Sequence, residues 1–332
     1  MKPRIAINGF GRIGREVFRI NLEKKYFNVI AINDLTDNKT LAHLLKYDSN
    51  FGTLKADVKT NKNNEIIVNK ATTKIFSEKD PENLPWKKLK IDIVIEATGV
   101  FRTRELIEKH IKAGAKKVLL TAPPKDDLDI TIVMGVNEKE LKKTHKLVSN
   151  ASCTTNCLAP MLKVLHENIG IQKGLMTTIH SYTNTQKILD LPDKDLRRAR
   201  AACLNIIPTT TGATDAVTKV IPDLKGKLDG IAIRVPTPTV SLVDFTGIVK
   251  LKTTIEEINK LFKNASQKSL KGILDYTEEP LVSSDFKGDE HSCIFDALST
   301  QVLQGNMIKV LGWYDNEWGY SARIVDLVKY MS

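Results

Sequence analysis

Arg4-Ile5-Ala6-Ile7-Asn8-Gly9-Phe10-Gly11-Arg12-Ile13-Gly14 decides the fold of this 332-residue chain. The apolar run reads as a short buried strand, the three glycines follow at once, and Arg15-Glu16-Val17-Phe18-Arg19-Ile20 continues with helical spacing. Strand, glycine turn and helix in that order make the dinucleotide fingerprint in the context it requires. Gly9 permits the tight turn, Gly11 lets the backbone approach a pyrophosphate, and Gly14 lets helix and strand pack closely. The helix N-terminus then faces the diphosphate. A second strand, Asn28–Asn33, ends at Asp34, about 20 residues beyond Gly14. An acid there accepts hydrogen bonds from ribose hydroxyls and repels a 2′-phosphate. Asp34 also suits the turn Asp34–Asp37, but glycines, spacing and acid together predict an NAD site.

The α/β alternation continues outward from this unit. Glu65–Val68 and Thr73–Phe76 read as a small antiparallel excursion. Ile91–Glu96 is a buried strand ending in the small-residue loop Ala97-Thr98-Gly99, of the kind that lies against a cofactor at strand carboxyl ends. Helix Thr103–Ala113, strand Lys117–Thr121, and strands Thr131–Met134 and Lys146–Ser149 complete the sheet. The expected architecture is an α/β Rossmann-type domain over 1–150, completed by a C-terminal helix at 319–332. An α+β catalytic domain with a mostly antiparallel sheet occupies 151–318.

Bulk properties narrow the class. The length suggests two domains, and 42% hydrophobic with 27% charged residues suits a soluble globular chain. No run of about 18 apolar residues predicts a membrane span. The first residues run straight into a strand pattern without an apolar leader. Four cysteines, unevenly spaced, suit a reduced cytoplasmic chain without a zinc site. The net charge of +11 fits nucleic acid, an anionic surface or phosphorylated substrates. Its lysines are scattered singly or in pairs, with no basic run interleaved with aromatics, which argues against dedicated nucleic-acid binding.

The second half opens on Ser149-Asn150-Ala151-Ser152-Cys153-Thr154-Thr155-Asn156. Ser152 or Thr154 is a candidate cap for the following helix, which would place Cys153 in its first turn. The partial positive charge there favours thiolate over thiol. A small buried cysteine is the ordinary alternative. Gly174–Thr183 reads as a strand bringing His180 to its end, as a base paired with the thiol would be. Leu189–Arg200 is a long charged loop, and Ile207–Gly212 is rich in hydroxyls, a combination suited to phosphate. Strands Gly230–Val235, Val240–Lys250 and Ile308–Tyr314 follow, with helices at Asp215–Ile221, Thr254–Ser269 and Ser321–Met331. Arg234 ends its strand before Pro236-Thr237-Pro238, with its guanidinium free to enter a cleft. Asn316 offers an amide to another amide.

A nucleophilic cysteine beside a dinucleotide site points to aldehyde oxidation through a thioester. The chain resembles the NAD-dependent, phosphorylating glyceraldehyde-3-phosphate dehydrogenase family along its whole length. Ile7–Arg15, Ser149–Asn156, His180–Asn184, Asp195–Ala202, Ile207–Ala213, Lys225–Gly230, Arg234–Pro238 and Trp313–Tyr320 carry the resemblance. It implies glycolytic oxidation of D-glyceraldehyde 3-phosphate to 1,3-bisphosphoglycerate. Cys153 would be the nucleophile and His180 its base. Gly9, Gly11, Arg12, Ile13, Gly14, Asp34, Thr121 and Asn316 would contact NAD, with Lys79 where the family often has Arg near the adenine. Thr183 and Arg234 would hold the substrate phosphate. Ser152, Thr154, Arg198, Thr211 and Gly212 would hold the attacking inorganic phosphate. The resemblance further implies a cytoplasmic homotetramer, with the Leu189–Arg200 loop at a subunit interface. Thr185, Asp193, Asp215 and Phe51 depart from the family pattern. The nearest competing reading is erythrose-4-phosphate dehydrogenase, and one of another class is a non-catalytic NAD- or RNA-binding module.

Overall fold

The computed structural model describes residues 2–332. The chain divides into two units, one of 1–132, 139–151 and 321–332, the other of 133–138 and 152–320.

The first unit begins with β1 (Arg4–Asn8), α1 (Arg12–Lys24), β2 (Asn28–Asn33) and α2 (Asn38–Lys46). A short hairpin follows, β3 (Tyr47–Asp48) and β4 (Gly52–Thr53), then β5 (Val58–Asn61), β6 (Glu65–Val68) and β7 (Ala71–Phe76). Next come α3 (Trp86–Leu89), β8 (Ile93–Glu96), α4 (Arg104–Lys112), β9 (Lys117–Leu120), β10 (Ile130–Thr131) and β11 (Leu147–Ser149). Nine of these strands form one sheet in the order β10-β11-β9-β8-β1-β2-β7-β6-β5. β1 is parallel to both β2 and β8, so the connections leave it in opposite directions. Such a switch point opens a crevice at the strand carboxyl ends. β5, β6 and β7 are antiparallel among themselves. β7 also runs parallel to β2, which fuses this excursion to the main sheet.

One reading from sequence needs correcting here. The strand expected over Thr131–Met134 stops at Thr131. Asn137 Oδ1 accepts the Val133 N–H at 2.9 Å, and Val136 N–H bonds back to the Val133 carbonyl, so the backbone turns. α2 follows the Asp34–Asp37 turn and is started by Asp37, whose carboxylate accepts from Lys39 and Thr40 N–H.

The second unit holds α5 (Cys153–Ile169), β12 (Ile171–Ser181), β13 (Ile207–Thr210), α6 (Ala213–Val220), β14 (Leu228–Val235) and β15 (Ser241–Val249). α7 (Ile255–Gln267), β16 (Leu274–Thr277), β17 (Cys293–Leu303) and β18 (Met307–Tyr314) follow, and α8 (Trp318–Met331) ends the chain, counting from 321 onward with the first unit. The second unit's seven-stranded sheet has the order β13-β14-β12-β15-β18-β17-β16. Only β12–β14 and β16–β17 pair in parallel. α5 buries Leu158, Met161, Leu162 and Leu165 completely, and on α7 Phe262 stacks on Phe295 of β17. Thr254 and Glu257 close a capping box at the start of α7. Ile207–Thr210 is an edge strand on β14, where a proline and β-branched threonines are at home. The fold is a Rossmann-type unit followed by an α+β unit with a mostly antiparallel sheet. Among the described residues no helix is long and apolar enough to cross a membrane.

Candidate active site

In the second unit, Cys153 is the first residue of α5. Ser152 caps the helix, its hydroxyl accepting the Thr155 N–H at 3.1 Å. Ala151, with φ of +55°, turns the backbone just before it. His180 lies near the end of β12, a strand paired on both edges. Helix start and strand end together bring Cys153 Sγ to 3.4 Å from His180 Nε2. The other ring nitrogen, Nδ1, is 2.7 Å from the Ser181 carbonyl and 2.7 Å from Arg234 Nη1. Arg234 is the register partner of His180 across the parallel β12–β14 pair, which places both side chains on one face. Its Nη1 also donates to the Ser181 carbonyl at 2.9 Å.

Burial sets the protonation of this pair. Desolvation lowers His180 to about 3, and the Arg234 cation adds to that effect. Burial also raises the Cys153 thiol, with Arg234 opposing the rise. Desolvation of both ions thus works against the charge separation that the helix N-terminus and the imidazole favour.

Tyr314 was not singled out from sequence. Its hydroxyl is 2.9 Å from both Thr154 Oγ1 and Thr178 Oγ1, and its ring meets His180 edge-on at 6.0 Å between centroids. It ties the first turn of α5 to β12. A tyrosine ending a strand carries no local signal of this bridging role. Cys157 is buried one turn beyond Cys153, its thiol donating to the Gly312 carbonyl at 3.6 Å.

Arg198 Nε is 3.2 Å from Asp195, which also accepts from Thr209 Oγ1 at 3.0 Å. Thr211 caps the next turn by accepting the Ala213 N–H, and Gly212 precedes α6 with open space where a Cβ would stand. Thr183 Oγ1 and Thr185 Oγ1 are 2.9 Å apart, and Asp193 accepts the Asp195 N–H. Asp215 lies in the first turn of α6. The hydroxyls of Ser152 and Thr154 are engaged by Thr155 and Tyr314. Asn316 Oδ1 accepts from Ser241 Oγ at 2.8 Å, which fixes the amide and turns its Nδ2 donors outward from that bond.

In the first unit the fingerprint has the geometry its glycines imply. Gly9 has φ of +89°, and a Cβ on it would stand 2.7 Å from Thr98 N. At Gly14 a Cβ would meet the Gly9 carbonyl oxygen at 2.3 Å. Gly11 caps α1 without a side-chain bond and faces open space, a cradle that a diphosphate fits. Asp34 serves the turn, accepting the Thr36 N–H, while its second oxygen accepts the Phe10 N–H of the glycine loop at 2.8 Å. Arg12, in the first turn beside Ile13, pairs with Glu16 and Asp48 and lies over the Phe51 ring. Thr121 donates to the Glu96 carbonyl, and Lys79 is exposed beyond β7.

Glu96 is a further residue that sequence reading passed over. One carboxylate oxygen accepts the Thr98 N–H at 2.9 Å; the other accepts from Asn8 Nδ2 at 2.6 Å and lies 3.0 Å from His110 Nε2. Trp86 Nε1 donates to His110 Nδ1, so the ring proton sits on Nε2 and points at Glu96. The network fixes the Thr98 loop against Gly9.

A dinucleotide-binding Rossmann unit, followed by a unit that holds a cysteine–histidine pair, defines the class of NAD-dependent oxidoreductases that carry such a pair. Residues 3–104 match the family model of the glyceraldehyde 3-phosphate dehydrogenase NAD binding domain, and residues 152–316 match that of its C-terminal domain. Glyceraldehyde-3-phosphate dehydrogenase of Geobacillus stearothermophilus is 58% identical over 100% of this chain and 99% of its own length. The Borreliella burgdorferi enzyme of that name is 58% identical over 98% of each chain, and a Bacillus subtilis one 56% over 100% and 99%. The chain belongs to the glyceraldehyde-3-phosphate dehydrogenase family.

Proposed function

We infer that the chain is an NAD-dependent enzyme that oxidises D-glyceraldehyde 3-phosphate to 1,3-bisphosphoglycerate in glycolysis. The observation that carries the chemistry is the 3.4 Å contact between Cys153 Sγ and His180 Nε2 at the start of a helix. Cys153 attacks the aldehyde carbon to give a thiohemiacetal, and His180 takes the thiol proton and then faces the oxyanion. NAD, when bound, supplies the two-electron acceptor for this oxidation. Gly9, Gly11, Arg12, Ile13, Gly14, Asp34, Lys79, Thr121 and Asn316 are the residues assigned to hold it, the open cradle at Gly11 being the part whose shape fits best. Oxidation leaves an acyl thioester on Cys153. Inorganic phosphate attacks its carbonyl, the sulfur leaves as thiolate, and the acyl phosphate departs.

Arg234 and Thr183 are assigned to the substrate's own phosphate. Arg198, Thr211 and Gly212, with the backbone at Ser152 and Thr154, are assigned to the attacking phosphate. We also read the chain as a cytoplasmic homotetramer. Ile188, Leu196 and Leu204 are each about four-fifths exposed in the single chain, more apolar surface than one loop ordinarily leaves in water. The test is NADH formation from glyceraldehyde 3-phosphate with and without phosphate, on NAD and NADP, with erythrose 4-phosphate as the competing aldehyde. Turnover that depends on phosphate and NAD is expected. Undiminished turnover without phosphate would overturn the phosphorylating reading.

A further inference from the structure

Asn33 is buried at the end of β2, one residue before Asp34, and both ends of its side-chain amide are held. Its Oδ1 accepts the Glu78 N–H at 2.8 Å. Its Nδ2 donates to the Glu78 carbonyl at 2.9 Å and to Asn8 Oδ1 at 2.7 Å. The Asn33 carbonyl in turn accepts the Gly9 N–H at 2.8 Å. One residue thus fastens the segment after β7 to the ends of β2 and β1.

The amide cannot turn over. The Glu78 N–H is a donor only, so Oδ1 must face it and Nδ2 must face Asn8 Oδ1. Asn8 then has its own Nδ2 for Glu96, 2.6 Å away. At the far end His110 accepts from Trp86 Nε1 and donates to the same Glu96 carboxylate. From Trp86 to Glu78 the donors and acceptors match in one sense only. Asn8, Asn33, Glu96 and His110 are all buried, so a bond broken in this row leaves a polar group without water to replace it.

The row stands one residue behind the positions assigned to NAD. Asn8 precedes Gly9, Asn33 precedes Asp34 and Glu78 precedes Lys79, while the Glu96 carbonyl accepts from Thr121 Oγ1. The Asp34 N–H bonds to the Phe76 carbonyl at 3.0 Å, at the same end of the β2–β7 pair that Asn33 clamps. A carboxylate that accepts from ribose hydroxyls depends on close placement, because hydrogen bonds weaken steeply with distance and angle. Its repulsion of a 2′-phosphate falls off slowly with distance. Loosening the junction therefore removes what NAD gains and leaves what NADP suffers nearly unchanged.

We propose that Asn33 is a positioning residue for coenzyme choice, clamping the ends of β1, β2 and β7 so that the Asp34 carboxylate is held in place for the ribose hydroxyls of NAD. The inference rests on the assignment of Asp34 to that ribose. Asn33 acts through Asp34, and its removal narrows the preference for NAD by weakening NAD rather than by admitting NADP.

The test is fluorescence titration of NADH and NADPH on the full chain, for wild type, Asn33→Ala and Glu78→Pro. Glu78→Pro deletes the N–H that Asn33 Oδ1 accepts and reaches the clamp from the half-buried segment after β7, so it decides the matter if Asn33→Ala does not fold. In each variant NADH binding should weaken about tenfold, the worth of roughly one hydrogen bond to a charged group, and NADPH binding less than about twofold. Equal weakening of both coenzymes, which a role in packing alone would give, overturns the proposal, as does unchanged NADH binding. Added to Asp34→Ala, either variant should narrow the preference no further, and a further narrowing would show that Asn33 does not act through Asp34. If Asp34→Ala alone keeps the wild-type preference for NADH, the assignment of Asp34 to the ribose is the part that fails.

Discussion

His180 is buried against a cation, so the native chain resists protonating it down to about pH 3, whereas the unfolded chain protonates it near 6.5. Between those values the unfolded state binds more protons, so stability rises with pH across that window. The stability tied to neutral His180 is intact above about 6.5 and is lost as pH falls toward 3. Urea midpoints measured between about pH 7 and pH 5 should fall more steeply for wild type than for His180→Asn. Equal slopes would mean that the ring is not buried neutral. At the neighbouring residue, Cys153→Ser should abolish NADH formation while NADH fluorescence titration still reports binding. A variant turning over at the wild-type rate would remove Cys153 from the nucleophile's place. Asp34→Ala should relax discrimination against NADP, read as the NAD/NADP ratio of kcat/KM, because the repulsion of a 2′-phosphate goes with the carboxylate. Cys153, His180 and the glycines could be named as candidates from residue type and position alone. Arg234 against His180 was not, since only strand pairing reveals that residues 54 apart are neighbours.

At the scale of elements, the first unit depends on close approaches that single side chains guard. Gly14→Ala would set a methyl 2.3 Å from the Gly9 carbonyl, between helix α1 and the turn that precedes it. Neither backbone segment can yield cheaply, so a lower thermal midpoint and weaker NAD binding are expected together. Glu96→Ala should cost about 3 kcal/mol or more in urea denaturation, because it strands the buried donors of Asn8 and His110 and the half-buried one of Thr98. A loss under about 1 kcal/mol would show that the network is dispensable. Periodicity made α1, α7, β1, β2 and β12 readable, and Ser152 was readable as a cap because helix starts obey local rules. β16, β17 and β13 escaped for the opposite reason. Their strand character comes from edge pairing and from partners far along the chain, which no short window contains.

For the whole molecule, four chains' mass in sedimentation equilibrium is the expected outcome, and a stable monomer would leave the exposed Ile188–Ile206 loop unexplained. Length and the change of strand pattern near residue 150 are what led the sequence reading to two domains, and the assignment of 133–138 to the second unit had no sequence signal. The parallel pairing of β12 with β14 runs unbroken from Gly174↔Leu228 through His180↔Arg234 to Ser181↔Val235. A deletion or insertion of one residue in the Lys225–Lys227 turn would threaten that alignment; a one-step slip of β14 would carry the arginine to the opposite face of the sheet. Point substitution can blunt the partnership of base and arginine, but only a frame change within the strand can reassign it. Lineages that descend from this chain are therefore free to vary the turn's side chains, and are held to its length.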